Sequence, residues 1–145
     1  MKALKAAKQK RAVHYADDTA VEAAFFEGLV RRAPDYVEAL QLLGECYTKQ
    51  GQWRKALKVD QRLAKLCPEA PMVQYNLACS YSLLNKLPEA LIALKRAIDL
   101  GFADFSWLSQ DPDLANLRGW LEADALEKVQ GGDNESADLS TGEEE

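Results

Sequence analysis

Apolar residues in the middle of the chain are spaced like one face of an α-helix, and the whole pattern recurs after 34 residues. The matched pairs are Leu43 with Leu77, Tyr47 with Tyr81, Ala56 with Ala90, Leu57 with Leu91 and Leu66 with Leu100. Within the first copy, Leu40, Leu43 and Tyr47 lie three and four residues apart, which is the helical period. A repeat of this length predicts a stack of helix pairs that bury their apolar faces against one another.

The more complete copy, residues 40–68, resembles the tetratricopeptide repeat, a helix–turn–helix unit. The resemblance is carried by Leu43, Gly44, Tyr47, Ala56 and Pro68. The chain departs from the family pattern at Leu40 and Gln74, which replace Trp, at Asp60 and Leu94, which replace Phe, and at Phe102, which replaces the closing Pro. The resemblance implies an all-α, right-handed solenoid of antiparallel helix pairs, with about two and a half repeats plus capping helices.

The spacing predicts one helical repeat domain over residues 1–130. Its expected parts are a basic N-terminal capping helix (1–18), a degenerate repeat (19–36), two regular repeats (37–70 and 71–104) and a closing segment (105–130). Gly44 and Ala78 are expected to be small because the two helices of a unit approach closely there. Residues 131–145 contain no aromatic residue and are rich in Gly, Ser, Asp and Glu, so they are predicted to be an acidic disordered tail.

The closing segment breaks the repeat pattern. Asp111 is predicted to cap a helix that begins at Pro112. The run from Leu100 to Arg118 resembles the segment that follows the last repeat in bacterial members of the family. Such a segment covers the exposed face of the last helix pair, so Phe105, Trp107 and Leu108 are expected in the core.

Charge is concentrated at the two ends of the chain. Residues 1–14 contain five basic side chains and no acidic one, whereas residues 133–145 contain six acidic side chains and no basic one. The net charge of −5 argues against nucleic acid as the main partner. No apolar run approaches the ~20 residues of a membrane span, so membrane insertion is not expected.

The three cysteines, Cys46, Cys67 and Cys79, lack disulfide or zinc spacing, which favours reduced thiols and a cytoplasmic protein. An organellar transit peptide is the alternative for the basic start, although that start lacks Ser and relies on Lys. His14 is the one histidine of the chain, so few groups can combine for catalysis. The sequence predicts no enzyme activity, no cofactor and no metal site.

The resemblance implies that the first helices of successive units line a concave groove. The candidate groove residues are Glu38, Gln41, Glu45, Lys49, Met72, Tyr75, Asn76, Cys79, Ser82 and Leu83. Chaperone cofactors of the family grip a C-terminal carboxylate with Lys, Asn and Arg side chains, but only Asn76 stands at a matching position. Because Glu45 would repel a carboxylate, that ligand is not expected. An extended peptide could instead use Asn76 for main-chain hydrogen bonds, and Met72 and Tyr75 for side-chain contact.

Three functions stay open at this point. The first is a non-enzymatic module that binds a protein or peptide segment in the groove. The second is a structural or assembly subunit, or a self-associating scaffold, that uses its basic N-terminal and acidic C-terminal ends. The third is an electrostatic regulator whose acidic tail mimics a polyanion. The groove residues themselves could also be ordinary solvent-facing positions.

Overall fold

The computed structural model describes the backbone of residues 18–139 and the side chains of residues 18–131. That part of the chain is helical and contains no β-strand, so the all-α prediction is confirmed. The predicted N-terminal capping helix lies outside the described residues except at residue 18.

The helices follow the repeat pattern closely. They are α1 (18–32), α2 (Val37–Lys49), α3 (Trp53–Leu66), α4 (Pro71–Leu83), α5 (Leu87–Asp99), α6 (Phe105–Leu108) and α7 (Ala115–Leu139), with a 3-10 turn at Pro112–Leu114. Short turns connect α2 to α3, α3 to α4 and α4 to α5, and each of these pairs packs side by side. The helices therefore form a continuous antiparallel stack.

The turn inside each regular unit is built in the same way. Gly51 and Asn85 stand 34 residues apart and have positive φ angles of 71° and 57°. After each of them the backbone N–H of the next residue bonds back over the helix end, from Gln52 to Tyr47 at 2.9 Å and from Lys86 to Tyr81 at 2.9 Å. This is the helix-ending arrangement that a left-handed residue permits, and Gly and Asn are the residues that adopt it most readily.

The core has two parts that follow the two regular units. One joins α1, α2 and α3 around Leu40, Leu43 and Leu63. The other joins α4, α5 and the closing segment around Ala78, Ala90 and other buried residues, namely Leu94, Phe102, Leu114 and Leu117. Ala64 packs against both parts, so the two units share one apolar interior.

Gly44 sits where α2 crosses α3, as expected, but its need for a small side chain is mild. A Cβ atom there would lie 3.4 Å from Val59 Cγ1 and 3.5 Å from Asp60 Oδ1, which are ordinary contact distances. Ala78 is fully buried in the other unit. Both small positions of the repeat pattern are therefore buried between helices.

The closing segment covers the last helix pair with residues other than those predicted. Leu114 and Leu117 are fully buried in the core of that unit, whereas Phe105 and Trp107 are exposed and Leu108 is partly buried. The prediction of buried Phe105 and Trp107 is wrong, because α6 is a single short turn and only Leu108 of its residues packs against the core.

Helix α7 continues past residue 130, where the predicted closing segment ends. Its backbone continues through Gly131 to Leu139, so over residues 131–139 the structure differs from the predicted disordered tail. Residues 140–145 lie outside the described part of the chain.

Candidate functional site: the concave groove

Helices α2 and α4 border a groove of about 620 Å³. Helix α3 contributes Asp60 and Leu63, and the closing segment forms one wall through Trp107, Asp111 and Asp113. The remaining lining residues come from the two first helices: Gln41, Gly44, Glu45, Thr48, Lys49, Met72, Val73, Tyr75, Asn76, Cys79, Ser80 and Leu83.

The groove brings together most of the candidate residues. Gln41, Glu45, Lys49, Met72, Tyr75, Asn76, Cys79 and Leu83 all line it. Ser82 does not, and its side chain is fully buried. Its hydroxyl accepts a hydrogen bond from the Leu117 N–H at 3.2 Å, because α7 packs over this side of α4. Ser82 is therefore a contact of the closing helix. Glu38 is exposed on α2 and is not among the lining residues.

Tyr75 lines the groove but leaves little surface for a ligand. Its side chain is only 3% exposed, and its ring stacks on Phe102 with centroids 4.3 Å apart. Its hydroxyl donates to Asp111 Oδ2 at 2.5 Å. The prediction that Tyr75 offers its side chain to a bound peptide is therefore wrong, because Phe102 covers its ring and Asp111 binds its hydroxyl.

Asp111 ties the closing segment to α4. As predicted, it caps the turn at Pro112, where its Oδ1 accepts from the Asp113 N–H at 3.0 Å. Its Oδ2 accepts from Tyr75 and also lies 3.8 Å from Cys79 Sγ. The Arg118 guanidinium donates to the Asp111 carbonyl at 2.7 Å. One buried carboxylate thus orients the groove wall and two groove residues.

Cys79 is buried beneath this carboxylate. Burial raises the pKa of its thiol, and the nearby Asp111 and Asp113 carboxylates raise it further. A thiol with a raised pKa is a poor nucleophile. Among residues 18–131, no three His, Cys, Asp or Glu side chains are grouped to hold a metal ion. His14, the single catalytic candidate of its type, lies outside the described residues.

Asp60 lies on the groove floor and is buried. Its Oδ2 accepts a hydrogen bond from the Ser80 hydroxyl at 2.5 Å. Burial raises the pKa of Asp60 and the Ser80 hydrogen bond offsets part of this rise, so that the pKa is about 6 instead of 3.8. In the sequence, Asp60 stands out only because it replaces the Phe of the family pattern, and nothing there indicates a role in the groove.

The raised pKa predicts how stability depends on pH. The folded chain holds the Asp60 proton more tightly than the unfolded chain, so this group favours folding below about pH 4. That contribution is lost as pH rises through about 6. Asp60→Asn cannot ionise and is expected to exceed the wild type in unfolding free energy by roughly 1–3 kcal/mol at neutral pH.

Urea unfolding at a series of pH values measures this difference between wild type and Asp60→Asn. The difference should grow between about pH 4 and pH 7, because only the wild-type carboxyl titrates there. An equal difference at every pH would contradict the assignment. Ser80→Ala serves as a control, since it removes the hydrogen bond and leaves the carboxyl ionisable.

Comparison with known proteins agrees with this geometry. Residues 39–71, which span α2, α3 and the turn after them, match the family model of the tetratricopeptide repeat. The chain thus contains a tetratricopeptide repeat over these residues. Tetratricopeptide repeats form a non-enzymatic fold used in protein–protein interaction and scaffolding, which supports a role of that kind here.

A curated relative of this chain is a chloroplast protein from Arabidopsis thaliana. The two are 35% identical over 105 residues, which cover 70% of this chain and 30% of the relative. The chain thus spans about a third of the length of that protein.

No helix in the described part of the chain is long and apolar enough to cross a membrane.

Solved structures with the same fold include MamA 41-end from Desulfovibrio magneticus RS-1 and the MamA RS-1 ArsTM double mutant. Each has a TM-score of 0.57 and 20% sequence identity, and each match covers 82% of this chain. The matches cover 72% and 71% of those chains. The likeness confirms the predicted solenoid of helix pairs.

Proposed function

We propose that the chain binds an extended protein segment in the groove between α2 and α4. The observation that carries the proposal is the shape of this surface. Two first helices border an open groove, and the closing segment bounds it with Trp107. Met72 and Asn76 are exposed within it. A concave surface with apolar and amide groups suits an extended chain.

Different groove residues would make different kinds of contact with the bound segment. The Asn76 side chain carries both donors and an acceptor, so it can bond the main chain of a bound segment. Met72 is 55% exposed, and its flexible thioether adapts to apolar side chains of different shape. Tyr75 and Asp111 contribute indirectly, because their mutual hydrogen bond holds the groove wall in place.

The lining also supports the expectation that a C-terminal carboxylate is not the ligand. Glu45, Asp60, Asp111 and Asp113 all border the groove. An additional carboxylate would meet like charges there. The ligand class of the chaperone cofactors therefore fits this groove poorly, and an internal segment of a partner fits better.

Paired variants test the groove directly. Met72→Lys places a positive charge in the groove, whereas Ile92→Lys places the same charge on α5, where Ile92 is 69% exposed and outside the groove. Affinity capture from the native lysate with wild type and both variants should recover a partner that Met72→Lys loses and Ile92→Lys retains. Circular dichroism of all three proteins controls for folding.

A partner that is retained by both variants would contradict groove binding and favour the scaffold role. Helix α1 supports that second candidate, because Val21 and Phe25 expose large apolar side chains there. Adding Phe25→Glu to the same capture experiment locates such a contact. The basic and acidic ends that first suggested a scaffold lie largely outside the described residues.

The cytoplasmic location stays a prediction. The curated relative is named as a chloroplast protein, and the basic start left an organellar address open as the alternative. Fractionation of the source cells distinguishes the two, and neither outcome changes the groove proposal.

A further inference from the structure

The groove is acidic. Among its lining residues in the described part of the chain, four are carboxylates and Lys49 is the one base. The carboxylates are Glu45, Asp60, Asp111 and Asp113. A groove of this charge attracts cations and steers a basic segment toward it. Charge alone does not locate a binding contact, so the hydrogen-bond partners of each buried carboxylate have to be compared.

Asp111 is already fully engaged. Its two oxygens accept from the Tyr75 hydroxyl and the Asp113 N–H, and Cys79 Sγ lies beside it. Asp60 differs, because Ser80 donates only to its Oδ2. Its Oδ1 has no donor among the described residues. No fully buried side-chain oxygen lacks a partner there, so Oδ1 must reach the solvent.

Gly44 provides the opening to that oxygen. The missing side chain at Gly44 leaves free a position only 3.5 Å from Asp60 Oδ1. Both residues line the groove, so a donor entering from the groove can approach the carboxylate there. One neutral donor offsets only part of the cost of burying a carboxylate, and a cation at the second oxygen would offset more of that cost.

Apolar surface borders the same groove. Met72 and Trp107 are 55% and 50% exposed, although both are large apolar side chains. The alkyl stem of a lysine or arginine packs against such groups while its charged end reaches a carboxylate. An indole face also attracts cations.

We infer that the groove selects a partner segment that carries a lysine or an arginine. The cationic end of that side chain pairs with Asp60 through the opening at Gly44. The apolar neighbours of that residue in the segment pack against Met72 and Trp107. This inference rests on the proposed function and adds the chemistry of the bound segment. A short basic and apolar stretch in extended conformation is the occupant.

Selection from a phage library of random dodecapeptides against the immobilised full-length chain tests the inference. The selected peptides should be enriched in Lys or Arg at one position, with apolar residues beside it, and should not bind Met72→Lys, whose added cation repels them. Groove-dependent peptides without that enrichment would overturn the inference and leave the proposed function standing. Failure to select any groove-dependent peptide would overturn both.

Two variants then assign the cation to Asp60. In Asp60→Asn, the side chain keeps its size and can still accept the Ser80 hydrogen bond, so folding should be retained. Gly44→Ala leaves the carboxylate intact and adds one methyl group at ordinary contact distances. Fluorescence anisotropy with the selected peptide should show about tenfold weaker binding or more for each variant. Replacing the peptide's Lys or Arg by Gln should have a similar effect.

Glu45→Gln is the matched comparison, because it removes an exposed carboxylate from the same groove. It should weaken binding no more than about twofold, as exposed charges contribute little. An equal loss in Glu45→Gln and Asp60→Asn would overturn the specific contact. Displacement of the bound peptide by a synthetic peptide of the chain's own residues 1–14 would assign the groove to that basic start and overturn the assignment to a partner.

Discussion

Asp111→Ala is expected to lower the unfolding free energy by about 2–5 kcal/mol. The change removes the cap of the closing turn, which accounts for roughly 0.5–2 kcal/mol. It also removes the acceptor of the buried Tyr75 hydroxyl, a charge-assisted bond that contributes about 1.5–3 kcal/mol. The closing segment would then lose its main polar attachment to α4.

Urea unfolding followed by circular dichroism measures this loss. Asp111→Asn is the matched control, because the amide oxygen can still accept one of these hydrogen bonds, and a smaller loss is expected. Tyr75→Phe removes only the hydroxyl and should fall between the wild type and Asp111→Ala. A change below about 0.5 kcal/mol in Asp111→Ala, the range of neutral surface substitutions, would contradict the attachment.

Leu40→Ala is expected to cost a similar amount, about 2–5 kcal/mol, because truncating a buried leucine leaves a cavity. Leu40 is 1% exposed in the core shared by α1, α2 and α3. Leu42 on the same helix is 43% exposed, so Leu42→Ala should cost well under 1 kcal/mol at the same helix propensity. Thermal and urea unfolding of the two variants measure the contrast. Equal losses would place α2 in a different orientation from the one described.

The helices were predictable because the repeat pattern is local and redundant. The period of 34 residues places Leu43 and Leu77 on equivalent helix faces, and the turn at Gly51 recurs at Asn85 with the same left-handed geometry. Each signal is readable within a few residues, and each copy supports the other. The fold class and the general position of the groove follow from that repetition.

The roles of individual groove residues were harder to predict, because their partners lie outside the repeat. The Tyr75 hydroxyl is taken by Asp111, which lies 36 residues later in the closing segment. Ser82 is covered by α7 through Leu117, 35 residues away. The sequence showed a cap at Asp111 but not the surface on which the capped turn would dock.

Asp60 illustrates the same limit within the repeats. The family pattern has a large apolar residue at this position, so the sequence shows Asp60 only as a mismatch to that pattern and indicates no role for it. In the structure it pairs with Ser80, 20 residues away on α4, and lies on the groove floor. Only the packing of α3 against α4 reveals this pair, since neither residue is unusual within its own helix.

Site-specific photo-crosslinking in the source cells tests the groove claim most directly. The photoreactive amino acid p-benzoylphenylalanine would replace Met72 in the groove or, in a matched protein, Ile92 on the exposed side of α5. Groove binding predicts a crosslinked partner from position 72 and none from position 92. A partner crosslinked from position 92 but not from position 72 would contradict it.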